Sequence, residues 1–189
     1  MTATAHAKAR NIRLMGFDVD GVLTDGTLWF SSQGDEMKGF NTLDGHGLKM
    51  LAESGVILAI ITGRRSRAVE LRAANLGIKL LLQGVEDKRS AMHQLLAEHG
   101  LSFAEAGYMG DDVVDLPVLR ACGFSASVPN GHTLVRERVD YVAMAEAGLT
   151  PPAVSSFRST GKRGVHSEHM GYILAEMQQL QRAYPGGVW

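Results

Sequence analysis

The chain has 189 residues, of which 45% are hydrophobic and 21% charged, and its formal net charge is −1 at pH 7. This composition excludes a disordered chain and a basic nucleic-acid-binding protein, and the length suits one domain. The single cysteine, Cys122, excludes an internal disulfide and a cysteine-based zinc site. No apolar run reaches the ~20 residues of a membrane span. We therefore expect no nucleic-acid or membrane partner and a reducing, cytoplasmic location.

The first eleven residues are rich in alanine and threonine and carry scattered basic side chains. They lack the apolar core of a signal peptide, so residues 1–11 are predicted to be a disordered cytoplasmic terminus. The folded domain is predicted to span residues 12–149.

From residue 12 onward, short apolar runs alternate with amphipathic segments, which is typical of a parallel α/β sheet covered by helices on both faces. The predicted strands are Ile12–Phe17, Val56–Ile61, Lys79–Leu82, Ala106–Met109 and Phe124–Ser127. The predicted helices, each followed closely by a glycine, are Gly45–Ser54, Arg67–Leu76, Lys88–His99 and Val113–Ala121.

One insertion interrupts this alternation directly after the first strand. Two short apolar segments, Thr27–Phe30 and Met37–Phe40, flank a polar turn and predict a β-hairpin within residues 26–40. This hairpin would project as a flap over the carboxyl end of the first strand. No other stretch is long enough for a separate cap domain, so a site at this position must be closed in another way.

The segment 150–189 differs in character from the domain before it. It opens on Pro151-Pro152 and continues with a polar, basic stretch that is predicted to be a loop. Apolar residues at helical spacing then predict a final helix over Val165–Ala183. This segment either belongs to the same domain or reaches a neighbouring subunit.

Polar residues follow the predicted strands at the edge where parallel α/β proteins bind ligands. Asp18 and Asp20 follow the first strand, Thr62 follows the second, Asp111 follows the fourth, and Lys88 opens a helix. Taken singly, each motif is more typical of a turn or a helix cap. Their occurrence together and in order favours a catalytic site for phosphoryl transfer.

Each of these residue types supplies one component of that reaction. Asp18 can attack phosphorus to form an aspartyl-phosphate, and Asp20 can protonate the leaving oxygen and later deprotonate water. Thr62 and the Gly63 amide can hold phosphate oxygens, while Lys88 can neutralise charge on the phosphate and on Asp18.

The same loops offer hard oxygen ligands for Mg²⁺. The predicted ligands are Asp18, the main-chain carbonyl of Asp20, and Asp111. Such a metal would lessen the repulsion between a carboxylate nucleophile and a phosphate dianion.

At these residues the chain resembles the haloacid dehalogenase superfamily of phosphohydrolases. The four motifs that carry the resemblance are Asp18-Val19-Asp20-Gly21, Thr62, Lys88, and Gly110-Asp111-Asp112 with Asp115. The resemblance implies a Rossmann-like fold, Mg²⁺ dependence, Asp18 as nucleophile and Asp20 as general acid and base. It also implies that Asp112 and Asp115 support the metal ligands without binding the metal directly.

The chain also resembles one branch of this superfamily that lacks a cap domain. Its members dephosphorylate 3-deoxy-D-manno-octulosonate 8-phosphate in lipopolysaccharide precursor synthesis. The segments that carry this resemblance are Gly21–Gly26, Phe40–Gly47, Ile60–Arg64, Gln83–Lys88 and Gly110–Pro117. Two features depart from the branch: Lys49 stands where arginine is usual, and Gly161–Glu168 is only an approximate counterpart of a glycine-rich tail.

The branch resemblance implies a set of substrate contacts and an assembly. The implied substrate-binding residues are Asp20, Asn41, Thr42, Leu43, Asp44, Gly45, Lys49, Thr62, Gly63, Arg64, Arg72 and Lys88. Arginine suits an acidic sugar because its guanidinium pairs with carboxylate through two parallel hydrogen bonds. The implied assembly is a homotetramer in which the hairpins form a barrel and neighbouring subunits close each site.

Other interpretations remain open at this point. These motifs would also suit a phosphatase for a nine-carbon sugar acid 9-phosphate or a non-catalytic oligomeric module. A phosphomutase or a phosphonate-cleaving relative would share them too, but both generally need a cap domain, and none is predicted here. An inactive domain serving a sugar-acid cytidylyltransferase conflicts with the intact catalytic set.

Two short motifs in the last segment favour no function of their own. Ser159–Lys162 resembles part of a P-loop but lacks its spaced glycine and preceding strand. The pair His166 and His169 is more typical of a surface pair than of a metal site.

Overall fold

The computed structural model describes residues 3–144, which form a central sheet with helices on both faces. The sheet strands are β1 (Leu14–Phe17), β4 (Ile57–Thr62), β5 (Leu80–Gln83), β6 (Ala106–Met109), β7 (Phe124–Ser127) and β8 (Tyr141–Val142). They are all parallel and lie in the order β5-β4-β1-β6-β7-β8. The strands β2 (Trp29–Phe30) and β3 (Glu36–Met37) form a separate antiparallel hairpin.

The helices follow the strands in alternation. They are α1 (Ala3–Arg10), α2 (Thr42–Glu53), α3 (Arg67–Leu76), α4 (Lys88–Glu98), α5 (Leu116–Ala121) and α6 (Thr133–Arg136), with 3₁₀ turns at Phe103–Glu105 and Val113–Asp115. The predicted α/β fold class and the predicted hairpin flap are confirmed. Among the described residues, nothing between the strands is large enough to form a cap domain.

Alternate side chains of the central strands pack into two separate cores. Met15 and Phe17 of β1 pack with α1, α2 and α3, whereas Leu14 packs with α4, α5 and α6. All four residues of β1 are buried. A strand covered on both faces must be apolar throughout, which is why β1 reads as a continuous apolar run.

The register of β1 positions the site. Phe17, its last residue, lies opposite Ile60 of β4 and opposite Met109 of β6. The three strands therefore end close together, and the residues that follow them share one edge of the sheet.

The prediction of disorder over residues 1–11 is wrong for the part of that segment that the structure describes. Residues Ala3–Arg10 form α1, in which Ala5 and Ala9 are buried against the core. Lys8 of this helix pairs with Asp140 near the far edge of the sheet. The helical signal was missed because its buried positions are alanines, whose short side chains give little apolar contrast.

Several predicted bounds shift. The strands β6 and β7 and the helix α3 have the predicted bounds, while β1, β4 and β5 differ by one or two residues. The predicted helix Val113–Ala121 is a 3₁₀ turn followed by α5, and both α6 and β8 were not predicted. Helix α2 begins at Thr42 instead of the predicted Gly45, so the segment Asn41–Gly45 is the cap and first turn of a helix.

No helix among residues 3–144 has the length and apolar character needed to cross a membrane. The predicted loop after Pro151-Pro152, the predicted helix Val165–Ala183, and the segment Gly161–Glu168 lie outside the described residues.

Candidate active site

The predicted nucleophile Asp18 lies at the carboxyl end of β1. Its backbone N–H donates to the carbonyl of Met109 at 3.0 Å, which extends the pairing of β1 with β6 by one residue beyond Phe17. The side chain is buried, at 7% exposure. Burial raises the pKa of Asp18 above its ordinary value, and the positive charge of Lys88 offsets only part of that rise.

Lys88 joins two of the predicted acidic residues. Its Nζ atom lies 2.8 Å from Oδ2 of Asp18 and 2.6 Å from Oδ1 of Asp115. Lys88 is the first residue of α4, and Asp87 caps this helix by accepting the N–H of Ser90 at 3.0 Å. Burial lowers the pKa of Lys88, but the two carboxylates outweigh it, so the pKa stays above its ordinary value and the ammonium stays charged.

Three carboxylates form a compact cluster beside this lysine. Ligand atoms of Asp18, Asp111 and Asp115 all lie within 4.8 Å of one another. Burial, followed by the charges of Asp18 and Asp115, raises the pKa of Asp111 to about 7. When all three are ionised, Lys88 balances only one of the negative charges.

This cluster fits a divalent cation. Oδ1 of Asp111 is buried and has no hydrogen-bond partner among the described residues, which is costly for a carboxylate oxygen unless a ligand satisfies it. The oxygens are of the hard type that Mg²⁺ prefers, and two positive charges would balance the cluster. Gly21 lies so close to Asp111 that a Cβ would collide with its carboxylate, and its φ of +87° also favours glycine.

Asp115 uses both carboxylate oxygens within the protein. Oδ1 accepts from Lys88, while Oδ2 accepts the backbone N–H groups of Asp111 at 3.1 Å and Asp112 at 3.2 Å. It therefore shapes the loop that presents Asp111. Asp112 is exposed and accepts the N–H of Val113 at 2.6 Å, so its side chain serves as a cap. The metal and supporting roles assigned to these residues stay predictions.

Asp20 lies apart from the acidic cluster and contacts the hairpin instead. Its carboxylate pairs with Nζ of Lys38 and lies 3.8 Å from Nε of Arg64. The side chain of Lys38 is only 1% exposed. Sequence reasoning missed Lys38 and its neighbour Glu36. The sequence signal that could have identified them is their spacing: Glu36 and Lys38 are two residues apart, and residues two apart in a strand share a face.

Thr62 ends β4, and Arg64, two residues further on, contacts the hairpin as well. Thr62 is buried, and its hydroxyl oxygen accepts the N–H of Arg64 at 3.4 Å. Nη2 of Arg64 donates to Oε2 of Glu36 at 2.8 Å. This hydrogen bond is the main reason that the pKa of Glu36 is lowered to about 2. Arg64 is thus held by a carboxylate of the protein itself.

The predicted substrate-binding segment Asn41–Gly45 caps and opens α2. The side chain of Asn41 accepts the N–H of Leu43 at 2.8 Å, a typical helix N-cap. Nη2 of Arg72 donates to the Asn41 carbonyl at 2.8 Å, and its guanidinium lies 5.7 Å from the ring centroid of Phe40. Arg72 therefore anchors this segment.

The remaining residues of the predicted set are distributed along α2. A Cβ at Gly45 would collide with the Arg72 guanidinium, which explains a glycine in the first turns of the helix. Lys49 is exposed further along the helix, and Thr42 and Asp44 lie in its first turn. The substrate contacts of this group stay predictions.

One family model matches only the end of the chain. It is described as "Phenylacetic acid catabolic protein" and matches residues 136–189, which is less than half of the sequence. That range contains none of the catalytic, metal or substrate-binding residues predicted above.

Proteins similar over most of the chain include sugar acid phosphatases. The 3-deoxy-D-manno-octulosonate 8-phosphate phosphatase KdsC of Escherichia coli (strain B / BL21-DE3) is 42% identical over 148 residues, covering 78% of this chain and 79% of the relative. The crystal structure of the Moraxella catarrhalis phosphatase of the same description, in complex with magnesium ion, phosphate ion and KDO, has a TM-score of 0.82 and 37% identity, covering 97% of both chains. The cobalt-bound phosphatase from Haemophilus influenzae has a TM-score of 0.78 and 34% identity, covering 94% of this chain and 95% of that chain.

Sequence identity and structural similarity relate this chain to the same group of proteins. The structural neighbours also include a hydrolase of the haloacid dehalogenase superfamily from Legionella pneumophila, with a TM-score of 0.80 at 34% identity. Identity of 42% over more than three quarters of the chain, together with this shared fold, shows that the chain belongs to the 3-deoxy-D-manno-octulosonate 8-phosphate phosphatase family of the haloacid dehalogenase superfamily.

Proposed function

We propose that this protein is a Mg²⁺-dependent phosphatase that hydrolyses 3-deoxy-D-manno-octulosonate 8-phosphate to the free sugar acid and phosphate, a step in the synthesis of a lipopolysaccharide precursor. The observation that carries the proposal is the buried Asp18 carboxylate, 2.8 Å from Lys88 and beside a cluster of acidic residues. Its support comes from the related phosphatases, one of which binds magnesium ion, phosphate ion and KDO.

In the first half of the reaction, a carboxylate oxygen of Asp18 attacks phosphorus. The bond from phosphorus to the sugar oxygen breaks, and its electron pair goes to that oxygen, which takes a proton from Asp20. Thr62 and the Gly63 amide hold the phosphate oxygens through this step, and Lys88 offsets negative charge on the phosphate and on Asp18. The product is an aspartyl-phosphate on Asp18 and the free sugar acid.

In the second half, water attacks the aspartyl-phosphate. Asp20, now a carboxylate, takes the proton of the attacking water, and the bond between phosphorus and Asp18 breaks with its electrons returning to the carboxylate. Asp20 has regained its proton, and phosphate leaves.

Asp18, the Asp20 main-chain carbonyl and Asp111 would hold Mg²⁺, with Asp115 orienting the loop of Asp111. When bound, the ion offsets negative charge on the phosphate and the carboxylates. Without it, burial raises the pKa values of Asp18 and Asp111, and the charges of neighbouring carboxylates raise them further, which disfavours the ionised nucleophile.

Recognition of the sugar acid is assigned to Arg64, Arg72, Lys49 and the segment Asn41–Gly45. The carboxylate of the substrate would compete with Glu36 for the Arg64 guanidinium, since Glu36 already accepts from it. Arg72 would act mainly by holding the Asn41 carbonyl and the start of α2. A nine-carbon sugar acid 9-phosphate and a non-catalytic module are less favoured, because the similar proteins named above are phosphatases for the eight-carbon acid.

A substrate comparison tests this function. Phosphate release by the full chain is measured with 3-deoxy-D-manno-octulosonate 8-phosphate and with a nine-carbon sugar acid 9-phosphate, with Mg²⁺ and with EDTA. The proposal expects a higher kcat/KM for the eight-carbon acid and loss of turnover in EDTA. A preference for the nine-carbon acid would overturn the substrate assignment, and absence of turnover with both would overturn the activity.

We also propose that the protein is a homotetramer whose hairpins meet. Large apolar side chains of the hairpin are exposed in the single chain: Leu28 by 40%, Trp29 by 58%, Phe30 by 58% and Met37 by 54%. So much apolar surface on one small flap is typical of an interface. A neighbouring subunit on this flap would also supply the closure that a cap domain gives in other phosphatases.

The remaining assignments are proposals of the same kind. We propose a domain over residues 12–149 with α1 packed on it, and a segment 150–189 that belongs to this domain or reaches a neighbour. The cytoplasmic location is proposed from the single cysteine, which is typical of proteins without a disulfide framework. Fractionation of cells that produce the protein would test the location.

A further inference from the structure

Lys38 is a buried cation that the reaction as described does not use. It follows the second hairpin strand, and its side chain is 1% exposed. Its Nζ atom pairs with Oδ1 of Asp20 and lies 3.2 Å from Oε1 of Glu36. A lysine is seldom withdrawn from water unless its charge is paired, so these two carboxylates account for its burial.

Glu36 connects this lysine to the substrate-binding side. One oxygen, Oε1, lies near Lys38, and the other, Oε2, accepts from Nη2 of Arg64 at 2.8 Å. The hairpin therefore places Lys38 against Asp20, which follows β1, and Glu36 against Arg64, which follows β4. Met37 lies between them in the strand and is exposed, which agrees with alternation of the two faces.

Asp20 needs such support because of where it lies. It occupies a turn beyond the end of β1, directly before Gly21, whose φ is +87°. A carboxylate on a turn can rotate about two side-chain bonds, whereas proton transfer requires its oxygen within hydrogen-bond distance of the leaving oxygen. Contact with Lys38 at Oδ1 restricts that rotation. The other oxygen, Oδ2, has only a longer contact, 3.8 Å from Nε of Arg64, and is the oxygen that would carry the proton.

We propose that Lys38 is a positioning residue for the general acid and base: it holds Oδ1 of Asp20 so that Oδ2 faces the leaving oxygen. This inference rests on the proposed phosphatase function. It gives the hairpin a part in the chemistry in addition to its place in the assembly, because the flap delivers the group that orients Asp20.

The test uses two aryl phosphates of nearly equal size. p-Nitrophenolate is a stable anion that leaves without a proton, whereas phenolate is more basic and depends on the acid. In Lys38→Met, we expect kcat/KM for phenyl phosphate to fall by about 100-fold. We expect kcat/KM for p-nitrophenyl phosphate to fall by about tenfold or less. Lys38→Arg should recover part of the loss, since it retains a cationic donor.

The natural substrate supplies a second measurement. With 3-deoxy-D-manno-octulosonate 8-phosphate, Lys38→Met should lower kcat and leave KM nearly unchanged, because positioning of the acid acts on the transition state. The matched control is Lys79→Met, which removes an exposed lysine just before β5, at the end of the strand away from the site. That variant should retain wild-type kinetics. Circular dichroism melting and light scattering would verify that each variant keeps its fold and assembly.

The outcomes separate the alternatives. Equal losses for both aryl phosphates would overturn the proposal and assign Lys38 to the structure of the hairpin. A rise in KM confined to the sugar acid phosphate would overturn it in favour of substrate binding, and unchanged kinetics would also overturn it. Failure of the wild-type protein to release phosphate from any of these compounds would instead overturn the proposed function.

Discussion

The Nζ atom of Lys88 lies 2.8 Å from Oδ2 of Asp18, and both side chains are at most 10% exposed. The same ammonium lies 2.6 Å from Asp115, so one cation connects the proposed nucleophile to the loop that presents Asp111. Such a pair is costly to bury and costly to break. A buried pair of this kind suits a site that keeps a carboxylate next to a cation where an anionic substrate would bind.

Substitution of the proposed nucleophile should abolish catalysis and leave the fold intact. In Asp18→Asn, phosphate release should fall to background, because the amide cannot attack phosphorus to form an aspartyl-phosphate. The change is nearly isosteric and leaves Lys88 paired with Asp115. The raised pKa of Asp18 means that burial outweighs the attraction of Lys88, so the midpoint of urea unfolding without metal should not decrease. The matched control is Asp25→Asn, an exposed residue whose side chain accepts the N–H of Thr27 at 2.8 Å. Turnover by Asp18→Asn at the control's rate would remove Asp18 from its role.

Loss of Asp115 should destabilise the protein strongly. The Asp115→Ala variant removes a partner of the buried Lys88 and leaves the N–H groups of Asp111 and Asp112 without their acceptor. We expect the free energy of unfolding to fall by about 3 kcal/mol in urea titrations. For the control Glu137→Ala, whose exposed carboxylate lies 3.6 Å from Arg138, we expect a change of less than about 1 kcal/mol. Similar losses in the two variants would contradict the supporting role of Asp115.

Magnesium should stabilise the protein more at pH 8 than at pH 6. The pKa of Asp111 is raised from 3.8 to about 7 in the metal-free fold, so below that pH the residue is largely protonated and a poor ligand. Because the folded pKa exceeds the unfolded one, this group also makes the metal-free protein less stable as pH rises from about 4 to about 7. Thermal melts with and without Mg²⁺ at pH 6 and pH 8, at constant ionic strength, would measure the effect of the metal. Metal-free melts between pH 4 and pH 8 would measure the second effect.

The Asp111→Asn variant tests how much Asp111 contributes to this pH dependence. It should lose most of the pH dependence of the Mg²⁺-induced rise in Tm, since the amide does not titrate. An equal rise at pH 6 and pH 8 in the unchanged protein would contradict the assignment of Asp111 to the metal.

The hairpin should hold the assembly together. Trp29 and Met37 lie opposite each other in the two strands and are 58% and 54% exposed, so their side chains share one apolar face. The double change Trp29→Ser with Met37→Ser should convert a tetramer to smaller species in size exclusion with light scattering. Leu71→Ser, which changes an equally exposed residue of α3, is the control. A wild-type monomer with full activity would contradict both the tetramer and the shared site.

The positions of many candidate site residues were predictable because these residues occur at the ends of strands. Asp18, Thr62 and Asp111 each come at or just after the end of an apolar run, and the edge of a parallel sheet brings such positions together whatever the details of packing. The start of α4 at Lys88 was predictable for a similar local reason, since Asp87 is a typical cap.

Other features could not be predicted because they depend on contacts between distant segments. The helix α1 was missed since its buried face consists of alanines, and the role of Arg72 was missed since its contact with Asn41 joins two helices. The contact of Lys38 belongs to the same class: its spacing from Glu36 indicated a shared face of the flap, but not that this face lies against Asp20.

The sequence by itself determined the chemical groups of this protein and the strand ends at which they occur, because apolar runs and capping residues act locally. Only the tertiary structure decided the partners of those groups: Lys88 between Asp18 and Asp115, Glu36 on Arg64, and Lys38 on Asp20. The physical reason is that the charge state and orientation of a buried group depend on neighbours that packing brings in from elsewhere in the chain.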